Sequence, residues 1–233
     1  LLGARLLAVR RDGETERTGR SYPLGYQATY HPALDAARPD GFVLGRASTW
    51  GGQAEVDAIW PGDLDSDFSK YGDDDGTGTL LVGGLPSAIV AAQTLAVSGF
   101  PSFGSDTGGF RHGAPTKEAL LRWAEHSALS VVMQLGGGGD THAPWAYDGE
   151  TVSLYRNLAS LHTRLEPYLS SILREAETKG TPTILPLPLA FPSDPGAAAF
   201  ADDEYMLGPD LFVAPVVTAG ATEAIAASLL ALC

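Results

Sequence analysis

The sequence predicts an α/β fold: the C-terminal half of a (β/α)8 TIM barrel followed by the start of a small all-β domain. Three observations predict it. Through residue 180 short extended runs alternate with longer helical ones, the polar and glycine-rich chemistry follows each extended run, and after Gly180 the period shortens to strands between Pro, Gly and Asp. Barrels of this class carry their active-site residues at the C-terminal ends of the strands, so the order strand, polar loop, helix has functional meaning. The expected domains are 1–180, a partial (β/α)8 barrel whose upstream strands are missing, and 181–233, the truncated start of a C-terminal all-β domain.

The first 20 residues crowd Arg10, Arg11, Asp12, Glu14, Glu16 and Arg17 around Gly13 and read as loop. Tyr22 to Ala37 reads as helix despite Pro32, and Pro39-Asp40-Gly41 turns the chain into a short strand, Phe42-Val43-Leu44. Arg46 follows that strand. Residues 47 to 56 are too few for a crossover helix and read as loop; Ala58-Ile59-Trp60 is the next extended run, ended by Pro61-Gly62, which leaves Asp63 just past its C-terminal end. The alanine-rich, breaker-free run Leu85 to Ser98 suits a helix packed between layers, stopped by Gly99. Phe100 to Phe103 is strand-like and leads into the glycine-rich loop 104–110. Thr116 caps a helix to Ala128, and Val131 to Leu135 is a strand followed by four glycines. Glu150 to Lys179 is a long amphipathic helix, kinked at Pro167 and closed by Gly180. Thr183-Ile184-Leu185, Tyr205-Met206-Leu207 and Leu211 to Ala214 read as strands.

With 44% hydrophobic and 18% charged residues over 233 positions, the chain is neither disordered nor a disulfide-stapled miniprotein. It is long enough to bury about 70% of its extended-chain surface. Fifteen basic against twenty-eight acidic residues give a net charge of −13, which repels a phosphate backbone, so no nucleic-acid partner is expected. The single cysteine, Cys233, closes no internal disulfide and fits a reducing compartment; a cytoplasmic location is expected. No apolar run reaches the roughly 18 residues that cross a bilayer, and Leu1 to Val9 is too short for a signal peptide, so no membrane partner is expected. The start at Leu1 reads as a piece of something longer.

Several segments carry chemistry. WPGDLDSDF sets Asp63, Asp65 and Asp67 at alternate positions, with Asp73, Asp74 and Asp75 following. A calcium loop counted from Asp63 needs glycine where Phe68 stands and glutamate where Asp74 stands, so no metal is expected, and Asp73 to Asp75 read as a solvated acidic loop. Asp63 is different: beside Trp60 at a strand end, a carboxyl group can be desolvated and act as a general acid. Asp106 in GSDTGGF is a second strand-end carboxylate, and on its own residues an Asx-type turn or cap is the better reading. The glycine run 136–139 lacks the Lys-Ser/Thr of a phosphate loop and no dinucleotide fingerprint follows, so no cofactor is expected. His142 and Trp145 come next; a His and a Trp at a strand mouth can bind and stack on a sugar, and a loop histidine without a role is the competing reading. Leu161, Leu165 and Leu169 with Tyr168 read as a core stripe.

In order, FVLGRAS, IWPGDLDSDF, LAVSGFPSFGSDTGGF, ALLRWAEHSALSVVMQ, LEPYLSSILREAETKGTPTILPLPLAFPSD and DDEYMLGPDLFVAPV resemble glycoside hydrolase family 31 over residues 22 to 222. Its members include α-glucosidases, α-xylosidases and sulfoquinovosidases, retaining enzymes with a (β/α)8 barrel followed by β-sandwich domains. The resemblance implies that Asp63 is the acid/base carboxyl of the Trp-x-Gly-Asp motif and that Trp60 walls the sugar subsite. It implies that Asp106 and Phe110 belong to the Gly-x-Asp-x-x-Gly-Phe motif that shapes the subsite, and that Arg46 is the arginine after the fifth barrel strand. A glycoside or oligosaccharide is the expected partner, with homo-oligomerisation of the intact enzyme left open. The family's nucleophile, an Asp in an Asp-x-x-Glu motif, has no counterpart in residues 1 to 21; Asp12 sits in a charged loop, and the spacing to Tyr22-Pro23 puts the nucleophile before Leu1. Where many members carry Arg-x-His, this chain has glycines after Met133-Gln134-Leu135, and His142 is the candidate stand-in. Gly52-Gln53 resembles the bacterial branch that includes sulfoquinovosidases, which adds Gln53 to the substrate-binding candidates. The expected activity is hydrolysis of α-glycosidic bonds, of glucosyl or xylosyl type, with sulfoquinovosidase-like specificity or a non-catalytic sugar-binding remnant as alternatives. The ending Ala224 to Cys233 departs from the family pattern.

Overall fold

The computed structural model describes residues 14–74, 80–137 and 142–222. The readings made on Asp12, Gly13, Asp75, Gly138, Gly139 and Ala224 to Cys233 lie outside the described residues. The chain divides into two units, Leu1–Trp60 and Pro61–Cys233.

In the first unit helix α1, Glu14–Ala37, begins within the segment read as loop. Glu14, Glu16 and Arg17 are good helix formers, and acidic groups near a helix start are favoured by its dipole; charge density was mistaken for turn chemistry. Both Pro23 and Pro32 lie inside the helix. Tyr22, Tyr26 and Tyr30, one turn apart, form an exposed ladder with ring centroids 6.1 and 4.5 Å apart. Strand β1, Leu44–Gly45, pairs in parallel with β2, Ala58–Ile59, with Leu44 opposite Ala58 and Gly45 opposite Ile59. The expected strand at 42–44 is thus displaced toward Gly45; Val43 instead receives its neighbours through its carbonyl, which accepts from the Asp57 and Ala58 amides. The connection is a loop with one 3-10 turn, Gly52–Ala54, as its length required.

The second unit opens with an extended segment through Asp63 and an antiparallel hairpin, β3 Tyr71–Asp74 and β4 Leu80–Val82. This hairpin replaces part of the loop expected at Asp73 and Asp74; aspartate is depleted in strands, so pairing here overrides local preference. Helix α2, Leu85–Val97, buries Leu85, Ala88, Ile89 and Ala92 almost completely. Strand β5 is Gly104–Asp106, not the expected 100–103. Gly, Ser and Asp are poor strand formers; here the strand is held by parallel pairing with β6, Val132–Gln134, in which Gly104, Ser105 and Asp106 face Val132, Met133 and Gln134. Helix α3, Lys117–Ala128, starts at Thr116, whose hydroxyl accepts from the Ala119 amide at 3.1 Å. Its buried Trp123 donates from Nε1 to the Ser105 hydroxyl at 2.9 Å, tying helix to strand.

Helix α4, Gly149–Lys179, runs unbroken through Pro167 and ends at Gly180. The Asp148 carboxylate accepts from the Thr151 amide and hydroxyl at its start. Along the expected core stripe Leu169 is buried, Leu161 and Leu165 are half-buried, and the Tyr168 hydroxyl donates to the Leu207 carbonyl. The last layer is an antiparallel sheet of β7 Ile184–Pro186, β8 Tyr205–Leu207 and β9 Leu211–Val213 in sequence order. Two short helices, α5 Leu187–Ala190 and α6 Pro195–Ala199, lie between β7 and β8. They close a small core of Leu187, Ala197 and Met206 with Phe191, Phe200 and Phe212.

Candidate active site

Arg46, Trp60 and Asp106 sit at the ends of strands, and Asp63, Phe110, His142 and Trp145 follow in the loops after them, because the polar residues follow the extended runs. In the first unit Arg46 leaves β1 and Trp60 leaves β2, and the parallel register brings them together: the guanidinium carbon stands 4.8 Å from the centroid of the Trp60 ring. That is a cation–π contact on a half-buried indole. A cavity of about 380 Å³ lies beside Arg46, lined also by Tyr26, Tyr30 and Val43. Gln53 uses its side-chain oxygen locally, accepting from the Gly51 amide at 2.9 Å.

In the second unit Asp63 is half-buried and follows Gly62. Asp106 is the last residue of β5 and is 7% exposed. Its Oδ1 accepts from Gln134 Nε2 at 3.0 Å, the residue facing it across the parallel pair. The glycine run has a steric cause here: a Cβ on Gly136 would stand 1.8 Å from Asp106 Oδ1, and one on Gly137 would stand 2.3 Å from the His142 ring. Any side chain at position 136 therefore displaces the carboxylate.

His142 is 4% exposed, and its Nε2 lies 3.2 Å from the Ser66 hydroxyl. That hydroxyl donates its only proton to the Arg111 carbonyl at 2.7 Å, so the His142 Nε2 carries the hydrogen in their contact. The imidazole joins the loop after β6 to the segment after Asp63. Phe110 is half-buried and its amide donates to the Leu64 carbonyl at 2.9 Å. Trp145, in the 3-10 turn Pro144–Ala146, is 74% exposed, an open indole face.

Asp65, read in the sequence only as a member of an acidic run, is 2% exposed and ion-paired with Arg111 at 2.6 Å, and His112 Nδ1 stands 3.3 Å from the same carboxylate oxygen. Asp67 accepts from the Ser69 amide and hydroxyl in a local turn. Ser66 and Arg111 carry no chemical reading from the sequence, Gln134 is read only as part of a strand, and Asp65 and Gly136 are read only as members of an acidic and a glycine run. Only Gln134 had a readable signal, its place opposite Asp106 if the two strands pair in parallel.

Among the described residues no group of three His, Cys, Asp or Glu side chains could hold a metal ion, and no helix is long and apolar enough to cross a membrane. The second unit offers a half-buried carboxyl group, a second carboxylate fixed by an amide and an exposed indole, and the first a guanidinium over an indole; such groups can bind sugars and transfer protons.

Comparison with known proteins gives the same architecture. Residues 8–172 match the family model described as the glycosyl hydrolases family 31 TIM-barrel domain, and residues 180–227 match the family 31 C-terminal domain. The chain is 31% identical over 183 residues to the sulfoquinovosidase of Escherichia coli K12, covering 76% of this chain and 25% of that protein. It is 32% identical over 177 residues to the neutral alpha-glucosidase C of Mus musculus, covering 75% of this chain and 18% of that protein. Among solved structures, the family 31 sulfoquinovosidase of E. rectale, in complex with an aza-sugar inhibitor, superposes with a TM-score of 0.76 at 27% identity, covering 88% of this chain and 30% of that one.

Proposed function

The chain belongs to glycoside hydrolase family 31, and from that premise we propose that the whole protein hydrolyses α-glycosidic bonds with Asp63 as its acid/base group. The observation that carries the reading is the Trp60-Pro61-Gly62-Asp63 sequence at the end of β2, with Asp63 half-buried. A retaining glycosidase uses two carboxyl groups about 5 Å apart. One attacks the anomeric carbon, forming the glycosyl-enzyme bond as the bond to the leaving oxygen breaks. Asp63 gives its proton to that oxygen in the same step. In the second step Asp63 takes a proton from water, whose oxygen displaces the nucleophile and restores both carboxyl groups.

No residue named here is assigned as the nucleophile, which the family resemblance implies to be an Asp in an Asp-x-x-Glu motif. Asp106, held by Gln134, shapes the subsite; Arg46, Gln53, Trp60 and Phe110 keep the sugar-binding roles that the family resemblance implies, and Trp145 keeps the stacking role read from its place after β6. His142 is reassigned from sugar contact to positioning, since its Nε2 is engaged by Ser66 in a buried setting.

The substrate is an α-glucoside or α-xyloside, and an α-sulfoquinovoside is the second reading, favoured by the similarity to two sulfoquinovosidases. Methyl and aryl α-glycosides of the three sugars, assayed with the whole protein, decide among them. Hydrolysis of one class is expected, and Asp63→Asn should lower turnover of its methyl glycoside by about 10²- to 10⁴-fold. Binding of a sugar with no turnover of any of the six would instead establish the non-catalytic reading.

A further inference from the structure

The ion pair that begins two residues after Asp63, its carboxylate buried and its guanidinium half-buried, has no place in the proton transfers just described, and its geometry gives it one. Residues 64–66, directly after Asp63, are stitched to residues 109–111. The Leu64 carbonyl accepts from the amides of Phe110 and Arg111, both at 2.9 Å. The Arg111 carbonyl accepts from the Ser66 amide at 3.1 Å and from its hydroxyl at 2.7 Å. Arg111 Nη2 returns across the same gap to Asp65 Oδ1 at 2.6 Å. The approach is so close that a Cβ on Gly109, whose φ is +83°, would lie 2.5 Å from the Asp65 carbonyl oxygen. The next residue, His112, holds a left-handed φ of 65°, alone in this among non-glycine residues described, with Nδ1 3.3 Å from the same Asp65 oxygen. Such a conformation persists where its surroundings over-determine it, and it clusters at functional sites.

We propose that Asp65, with Arg111 and His112, is a positioning carboxylate that fixes the backbone from which Asp63 reaches the glycosidic oxygen. Two features favour position over stability as its role. A buried ion pair is weak evidence for stability, since an apolar pair of like volume often serves as well, whereas it specifies one register of two loops. The pair also joins residues 64–66 to the loop after β5, while the His142 to Ser66 contact adds the loop after β6, so three segments of the second unit are held together directly after Asp63 in the chain. Proton transfer tolerates little displacement of the donor, and a misplacement of an ångström costs rate steeply.

This inference rests on the reading of Asp63 as the acid, and the test separates the two. In the whole protein, kcat/KM is measured for the 2,4-dinitrophenyl and the methyl α-glycoside of whichever sugar is turned over. The variants are Asp63→Asn, Asp65→Asn, the neutral pair Asp65→Asn with Arg111→Gln, and Thr116→Ala as a remote destabilised control. Asp63→Asn should raise the aryl-to-methyl ratio; if it does not, the acid reading itself fails. Given that rise, Asp65→Asn and the neutral pair should each raise the ratio about tenfold, with the methyl glycoside bearing the loss in kcat, while Thr116→Ala leaves it unchanged. An unchanged ratio in both Asp65 variants overturns the positioning role alone. Should Asp65→Asn not fold because Arg111 is left unpaired, the neutral pair decides; failure of both to fold assigns the cluster to structure and also overturns it.

Discussion

Position 136 shows how one absent side chain sets the chemistry of another. Because a Cβ there would meet Asp106 Oδ1 at 1.8 Å, Gly136→Ala must turn the carboxylate away from Gln134. We expect a loss in kcat/KM of at least tenfold with the fold retained, measured by glycoside turnover alongside thermal melting. Of the candidate site, the positions of Arg46, Trp60 and Asp106 at the ends of strands are legible, because motif and alternation place them without tertiary knowledge. The Asp65 to Arg111 pair is not, because its partners are 46 positions apart and meet only when two loops pack. An acidic run read locally looks solvated; only burial distinguishes Asp65, at 2% exposure, from its neighbours.

Elements were legible in proportion to their local signals. Thr116 and Asp148 announce the starts of α3 and α4, and the hydroxyl and carboxylate accept from the amides expected of caps. Thr116→Ala should therefore cost about 1 kcal/mol, read as a lower urea midpoint with an unchanged slope; no change would remove the capping role. Strands were harder: β1 and β2 are two residues each, and β5 is Gly-Ser-Asp. Their positions come from parallel pairing and from contacts such as Trp123 to Ser105, which no window of sequence contains. The β3–β4 hairpin is hidden on one side, since β3 carries Gly72, Asp73 and Asp74, residues depleted in strands.

At the scale of the whole molecule, the alternation of strand and helix followed by a run of strands made the order of barrel and C-terminal domain legible, and the family models match in that order. What the sequence hid is how α3 is tied to the last sheet. His126, fully buried on α3, places Nδ1 3.1 Å from the hydroxyl of Tyr205 on β8. Burial lowers the His126 pKa to about 4 and raises that of Tyr205. The folded state thus binds fewer protons than the unfolded one, where histidine titrates near 6.5, so this contribution is full above about pH 6.5 and is lost as pH falls toward 4. His126→Gln should flatten the stability-against-pH curve in that window, by urea denaturation; an unchanged slope would contradict it. The central claim is that Asp63 hands a proton to the departing oxygen, and it is tested most directly by plotting log kcat/KM against leaving-group pKa for a series of aryl α-glycosides. The account predicts a shallow line for the wild-type whole protein and a steep one for Asp63→Asn; two parallel lines would contradict it.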